Sequence, residues 1–138
     1  MVNTDLIREF EGCRLQAYQD SVGVWTIGWG HTGPEVHSGL VWTQKQADDQ
    51  LESDVNSFAI EVQNLLNHSA TQGQYDAMVS FAYNLGINAF RKSILLQKFN
   101  SHDIIGAARD IGEYTHAGGQ IMEGLVRRRV AEIVRFMS

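Results

Sequence analysis

The sequence has one cysteine, Cys13, and one proline, Pro34, in 138 residues. A lone cysteine excludes an internal disulfide, so the fold must hold without staples, as suits synthesis in a reducing cytoplasm. No His stands beside Cys13 in sequence, and it reads as a packed thiol rather than a nucleophile. Basic charge is also scarce. Eleven Lys and Arg against 16 Asp and Glu give a net charge of −5, which excludes the basic face of a nucleic-acid binder. The one basic cluster, Arg127-Arg128-Arg129, is too short to reverse that. No apolar run is long enough to span a bilayer, and Met1 to Phe10 lacks the basic start and apolar stretch of a secretory signal. No stable membrane association is expected. Without a visible signal, a chain made in the cytoplasm needs another route to any target outside it.

Several chemistries are missing as well. There is no GxSxG nucleophile elbow and no GxxxxGK[ST] phosphate cradle. The five histidines, His31, His37, His68, His102 and His116, never take the HExxH spacing, so no zinc site is expected. Repeats, low-complexity tracts and Pro/Gly/Ser linkers are absent, and the length favours one domain.

What is present is an ordinary globular balance, 43% hydrophobic, with six Phe, four Tyr and three Trp to build a core. Asn3 to Phe10 predicts a first helix, with Asn3 or Thr4 as cap and Leu6, Ile7 and Phe10 on one face. Glu11-Gly12 ends it. Leu15 to Tyr18 begins a strand, Asp20-Ser21-Val22-Gly23 turns, Val24 to Ile27 returns, and His31-Thr32 adds a short third strand. Capping boxes at Thr43 to Gln46 and Thr71 to Gln74 open a long helix to about Leu66 and a second one that Gly86 stops. Ser93 and Asp103 begin shorter helices, and Tyr114 to Glu123 reads as a loop. A last helix from near Gly124 has Val126, Val130, Ile133, Val134 and Met137 as its apparent inner face. On that wheel Arg127 and Arg129 flank the inner face and Arg128 points away. The expected class is α+β, mainly helical. A β-containing lobe (about 12–42), a connecting helix (43–66) and a helical lobe (67–138, with the first helix) are expected.

The chemistry concentrates in Glu11 to Gly33, EGCRLQAYQDSVGVWTIGWGHTG. Glu11 ends a helix, Asp20 sits in a turn, and Thr26 lies on the returning strand. Two acids across a gap are what hydrolysis of a glycosidic bond requires. Taken singly, each residue has a plain structural reading: a helix-end acid, a turn Asp, a strand Thr. His31 reads either as a structural histidine of the hairpin or as a hydrogen-bonding group near the cleft. Trp29 is either buried or stacked on a sugar ring.

The pattern EGxRLxAYxDxxGxWTIGxGHTG resembles the catalytic segment of the phage-type lysozymes, glycoside hydrolase family 24. Phe81 to Gly86, Ala117-Gly118-Gly119 and Gly124 to Arg129 extend the resemblance over most of the chain. It implies a lysozyme-like fold with a small three-stranded antiparallel sheet. It implies Glu11, Asp20 and Thr26 as the catalytic set, with Gly30, His31 and Trp29 on the sugar side. The implied substrate is the peptidoglycan glycan strand, cut between N-acetylmuramic acid and N-acetylglucosamine with inversion and without a metal or organic cofactor. An arginine of the last helix is expected to pair with Glu11, Arg127 or Arg129 by wheel position. The implied biology is an endolysin, acting as a monomer on the wall once a separate protein has permeabilised the membrane. Two features depart from many of its relatives: the acidic balance, and a start almost directly at the first helix. A lytic transglycosylase, which needs one acid and no water-positioning pair, and a glycan-binding domain without activity are the competing readings.

Overall fold

A computed structural model describes residues 1–138. Its elements are α1 (Asp5–Glu11), β1 (Arg14–Gln19), β2 (Trp25–Gly28), β3 (His31–Thr32), α2 (Gln44–Leu65), α3 (Gln72–Leu85) and α4 (Ile87–Lys92). They continue as α5 (Ile94–Asn100), α6 (Ile104–Ile111), β4 (His116–Ala117), β5 (Gln120–Ile121) and α7 (Glu123–Phe136). The class is mainly helical α+β, as expected. No helix is long and apolar enough to cross a membrane.

The helix starts follow their side chains. Both capping boxes form: Thr43 accepts from the N–H of Gln46 and Thr71 from that of Gln74, with each glutamine reaching back. Ser93 and Asp103 cap α5 and α6 by a single bond each, accepting from the N–H of Leu96 and of Gly106. At α1 the expected cap is looser. Thr4 makes no side-chain cap bond, while Asn3 Oδ1 accepts from the N–H of Asp5.

The sheet has the order β1-β2-β3, antiparallel throughout. Tyr18 pairs with Thr26 and Ile27 with His31, and a bulge lies between Arg14 and Tyr18. A sheet this small needs helices to rest on. α2 supplies that support and also meets α3 and α4. The main core is helical, built from residues such as Leu51, Val62, Met78, Phe81, Phe90 and Phe99, all nearly or wholly buried, with Ile7 of α1 inserted among them.

One stretch without an expectation proves helical, and two expectations are corrected. The stretch 87–92 after Gly86 is a helix, α4, which closes Phe90 into the core. The 114–123 loop contains the β4–β5 hairpin, whose turn uses Gly118 and Gly119 at φ 59° and 79°. The inner face of α7 is the largest departure. Val130, Val134 and Met137 are 55%, 66% and 48% exposed, whereas Arg128, Arg129, Glu132 and Phe136 are buried. A wheel drawn on apolar residues fails here because the buried face carries charges that neutralise each other.

Candidate active site

Glu11 is the last residue of α1, and Gly12, at φ 66°, turns the chain away from it. Arg8, one turn earlier, fixes the helix end. Its Nε donates to Thr4 Oγ1, and its guanidinium lies 4.9 Å over the Trp29 ring. Trp29 Nε1 in turn donates to Asp48 of α2 at 2.9 Å. The helix end, the hairpin and α2 are thus tied at one point.

Both carboxylate oxygens of Glu11 are accounted for. Oε2 accepts from Arg128 Nη1 at 2.6 Å. Oε1 lies against the backbone of Gly30, where a Cβ would come within 2.8 Å of it, and Gly30 sits at φ +90°. Conformation and space both demand glycine there. The absent side chain at Gly30 thus leaves room on this side for the acid itself.

Arg128, expected to point away, is the residue that reaches Glu11. Arg129 is also buried but donates instead to Asn84 Oδ1 at 2.8 Å. Arg127 stays exposed beside Glu123. The error has the same cause as the misread face of α7: the arginines, not the valines, pack inward.

Glu11, Phe10, Asn84, Leu125, Arg127 and Arg128 belong to the wall of an open groove of about 690 Å³. Two other concavities, of about 460 and 560 Å³, border Met1, Gln63 and Tyr75 and contain none of these residues. Asp20 and Thr26 sit on the hairpin, outside the residues that line the groove. Asp20 Oδ1 accepts from the N–H groups of Val22 and Val24, both at 2.9 Å, and so builds the turn, while Oδ2 takes no part in it. Thr26 is buried, and its Oγ1 donates to the Val24 carbonyl at 3.0 Å. Tyr18 links the two regions. Burial pushes its hydroxyl up, Arg14 opposes this, and the negative charges of Glu11 and Asp20 both add to the rise. It therefore lies within electrostatic reach of both acids.

His31 and Trp29 are held rather than free. His31 Nδ1 meets Asp54 Oδ2 at 2.7 Å and Nε2 meets Glu35 Oε1 at 2.6 Å, so both ring nitrogens are engaged. Burial alone would lower its pKa, but the bonds to Glu35 and Asp54 outweigh it and the net shift is upward. Two more residues of the site went unnoticed in the sequence. The Tyr83 hydroxyl donates to the Trp29 carbonyl at 2.7 Å, and burial, with Glu11 and Asp54 adding, pushes it up and keeps it protonated. Glu132 lies beneath Arg128. Tyr83 falls within the Phe81 to Gly86 run, yet nothing in its spacing marks the hydroxyl.

The phage lysozyme family model matches residues 8–132. The chain belongs to the phage lysozyme family. It is 43% identical over 136 residues to an endolysin of Bacillus phage PZA, covering 97% of this chain and 53% of that protein. It is 45% identical over 135 residues to an endolysin of Lactococcus phage c2, covering 96% and 57%. The chain thus spans about half the length of these two endolysins. Among solved structures, the muramidase domain of SpmX from Asticaccaulis excentricus superposes with a TM-score of 0.89 at 37% identity, covering 98% of this chain and 94% of that one. Membership of the phage lysozyme family agrees with the three-stranded sheet and the helical core found here.

Proposed function

We propose that this chain is a lysozyme that hydrolyses the β-1,4 bond between N-acetylmuramic acid and N-acetylglucosamine in peptidoglycan, serving lysis of a phage host. The observation that supports it most is Glu11, a carboxyl group on a groove wall with Arg128 on one oxygen and Gly30 behind the other. Glu11 protonates the leaving oxygen. Asp20, through the oxygen not used in its turn, takes a proton from a water, and Thr26 helps hold that water, since its own proton goes to the Val24 carbonyl. The water attacks the face opposite the leaving group, so the configuration inverts. Such a pair needs carboxyls ~6.5–9.5 Å apart to admit the water. Trp29, Gly30 and His31 serve the sugar site by holding the hairpin segment in place. Both acid–base roles are side chains, so no cofactor is required. The protein acts as a monomer, on the wall, after a separate protein has opened the membrane.

The test is clearing of a purified wall suspension by Glu11→Gln beside the wild type, with mass analysis of the fragments. Loss of clearing in the variant, with reducing-end products from the wild type, is expected. A variant that clears at the wild-type rate removes Glu11 as the acid, and anhydro-sugar ends exclude hydrolysis.

A further inference from the structure

Behind the acid lies a group of charges that the reaction scheme does not use. Arg128 and Arg129 are 3% and 1% exposed, and Glu132, one turn along α7, is 0% exposed. Glu132 Oε2 accepts from Ser80 Oγ of α3 at 2.6 Å and from Arg128 Nε at 3.4 Å. Arg128 Nη2 donates to the Ser80 carbonyl at 3.1 Å, which leaves its Nη1 aimed at Glu11. Arg129 Nε lies 2.9 Å from Glu132 Oε1 but out of line, and both atoms lack a hydrogen-bond partner. Arg129 Nη2 donates to Glu132 Oε2 at 3.3 Å, so the pair is held by one directed bond as well as by charge. Two guanidinium groups face two carboxylates, Glu132 and Glu11, and unpaired charge in such a place is costly.

We infer that Glu132 is a positioning residue for Glu11, acting through Arg128: it fixes the guanidinium that touches the acid and cancels the charge of Arg129, so that Glu11 faces one net positive charge instead of two. The other groups around Glu11 are Arg8 and Glu9 on its own helix, Tyr18 from β1, Tyr83 from α3, and Arg127, which lines the same groove. Facing Glu132 from α3 is Ser80; Asp76 on that helix is paired with Arg135, and Asp110 of α6 is turned to the N–H of Leu95. Burial pushes the Glu132 carboxyl up and the Arg129 guanidinium down, which fits charges that persist only because they are matched.

The inference rests on the reading of Glu11 as the acid, and the experiment separates the two. The pH–rate profile for wall clearing is measured for the wild type, Glu132→Gln and Arg129→Met, alongside carbon-13 titration of the Glu11 carboxyl. An acid catalyst must be protonated, so its ionisation sets the alkaline limb of the profile. Glu132→Gln leaves Glu11 facing two positive charges, which favours its ionised form. The alkaline limb moves to lower pH, with a roughly tenfold loss of rate on that limb. Arg129→Met leaves Arg128 cancelled by Glu132, and the limb moves the other way. The double variant, with one charge of each sign removed, returns toward the wild type. Where Glu132→Gln fails to fold, Arg129→Met decides. A limb and a Glu11 titration unmoved in the folded variant overturn the inference and leave Glu132 as packing. If the titration moves while Glu11→Gln still clears the wall, the proposed function fails and this coupling stands.

Discussion

The side chain that residue 30 lacks would stand 2.8 Å from Oε1 of Glu11. Gly30→Ala must therefore displace the carboxylate, and it also places an L-residue at φ +90°. The backbone strain is expected to cost about 1–3 kcal/mol. A misplacement of the acid of ~1 Å is worth roughly a hundredfold in rate. Thermal unfolding and wall clearing measure the two separately. A variant as active as the wild type means that Glu11 has room to move.

Asp20 has two tasks on different oxygens, and two substitutions separate them. Asp20→Asn keeps an oxygen for the N–H groups of Val22 and Val24, so the hairpin and the thermal stability are retained while a base is lost. Wall clearing is expected to fall by about 10²–10⁴-fold. Asp20→Ala loses the same activity and also melts at lower temperature, because the turn loses two bonds. Equal melting temperatures for the two variants would contradict this division.

On α7 the charges outweigh the valines. Arg128→Met deletes bonds to Glu11, Glu132 and Ser80 and is expected to destabilise by about 3 kcal/mol in urea unfolding. Val130→Ser, at a site 55% exposed, is expected to stay within about 0.5 kcal/mol of the wild type. The reverse ranking would restore the apolar reading of this helix.

His31 should make stability depend on pH. With its pKa raised in the fold, its contribution is full below its ordinary value of 6.5 and is lost as pH rises through the folded value. The hydrogen bond from His31 holds Glu35 below its ordinary 4.5, so that partner's share is lost as pH falls through its lowered value. The clamp is strongest between these limits. His31→Asn is expected to lose more stability at pH 5.5 than at pH 9, compared by urea unfolding. An equal loss at both would show that the ring acts by packing alone.

What residue order alone made legible is local. The two threonine capping boxes, the Asp20 turn, the glycine stop at Gly86 and the class of the fold could all be read there, because each rests on residues within a few positions of one another. The 23-residue segment from Glu11 also carried its resemblance without any tertiary knowledge. Which arginine meets the acid, which face of α7 is buried, and the room that Gly30 leaves for Glu11 all depend on the assembled fold. Arg128 and Glu11 are 117 residues apart, and Tyr83 and Trp29 are 54 apart. Whether a charged side chain turns inward depends on the partners that packing delivers, since a buried charge is tolerable only when an opposite one lies beside it. Helical periodicity records the hydropathy of one element and holds no trace of those partners.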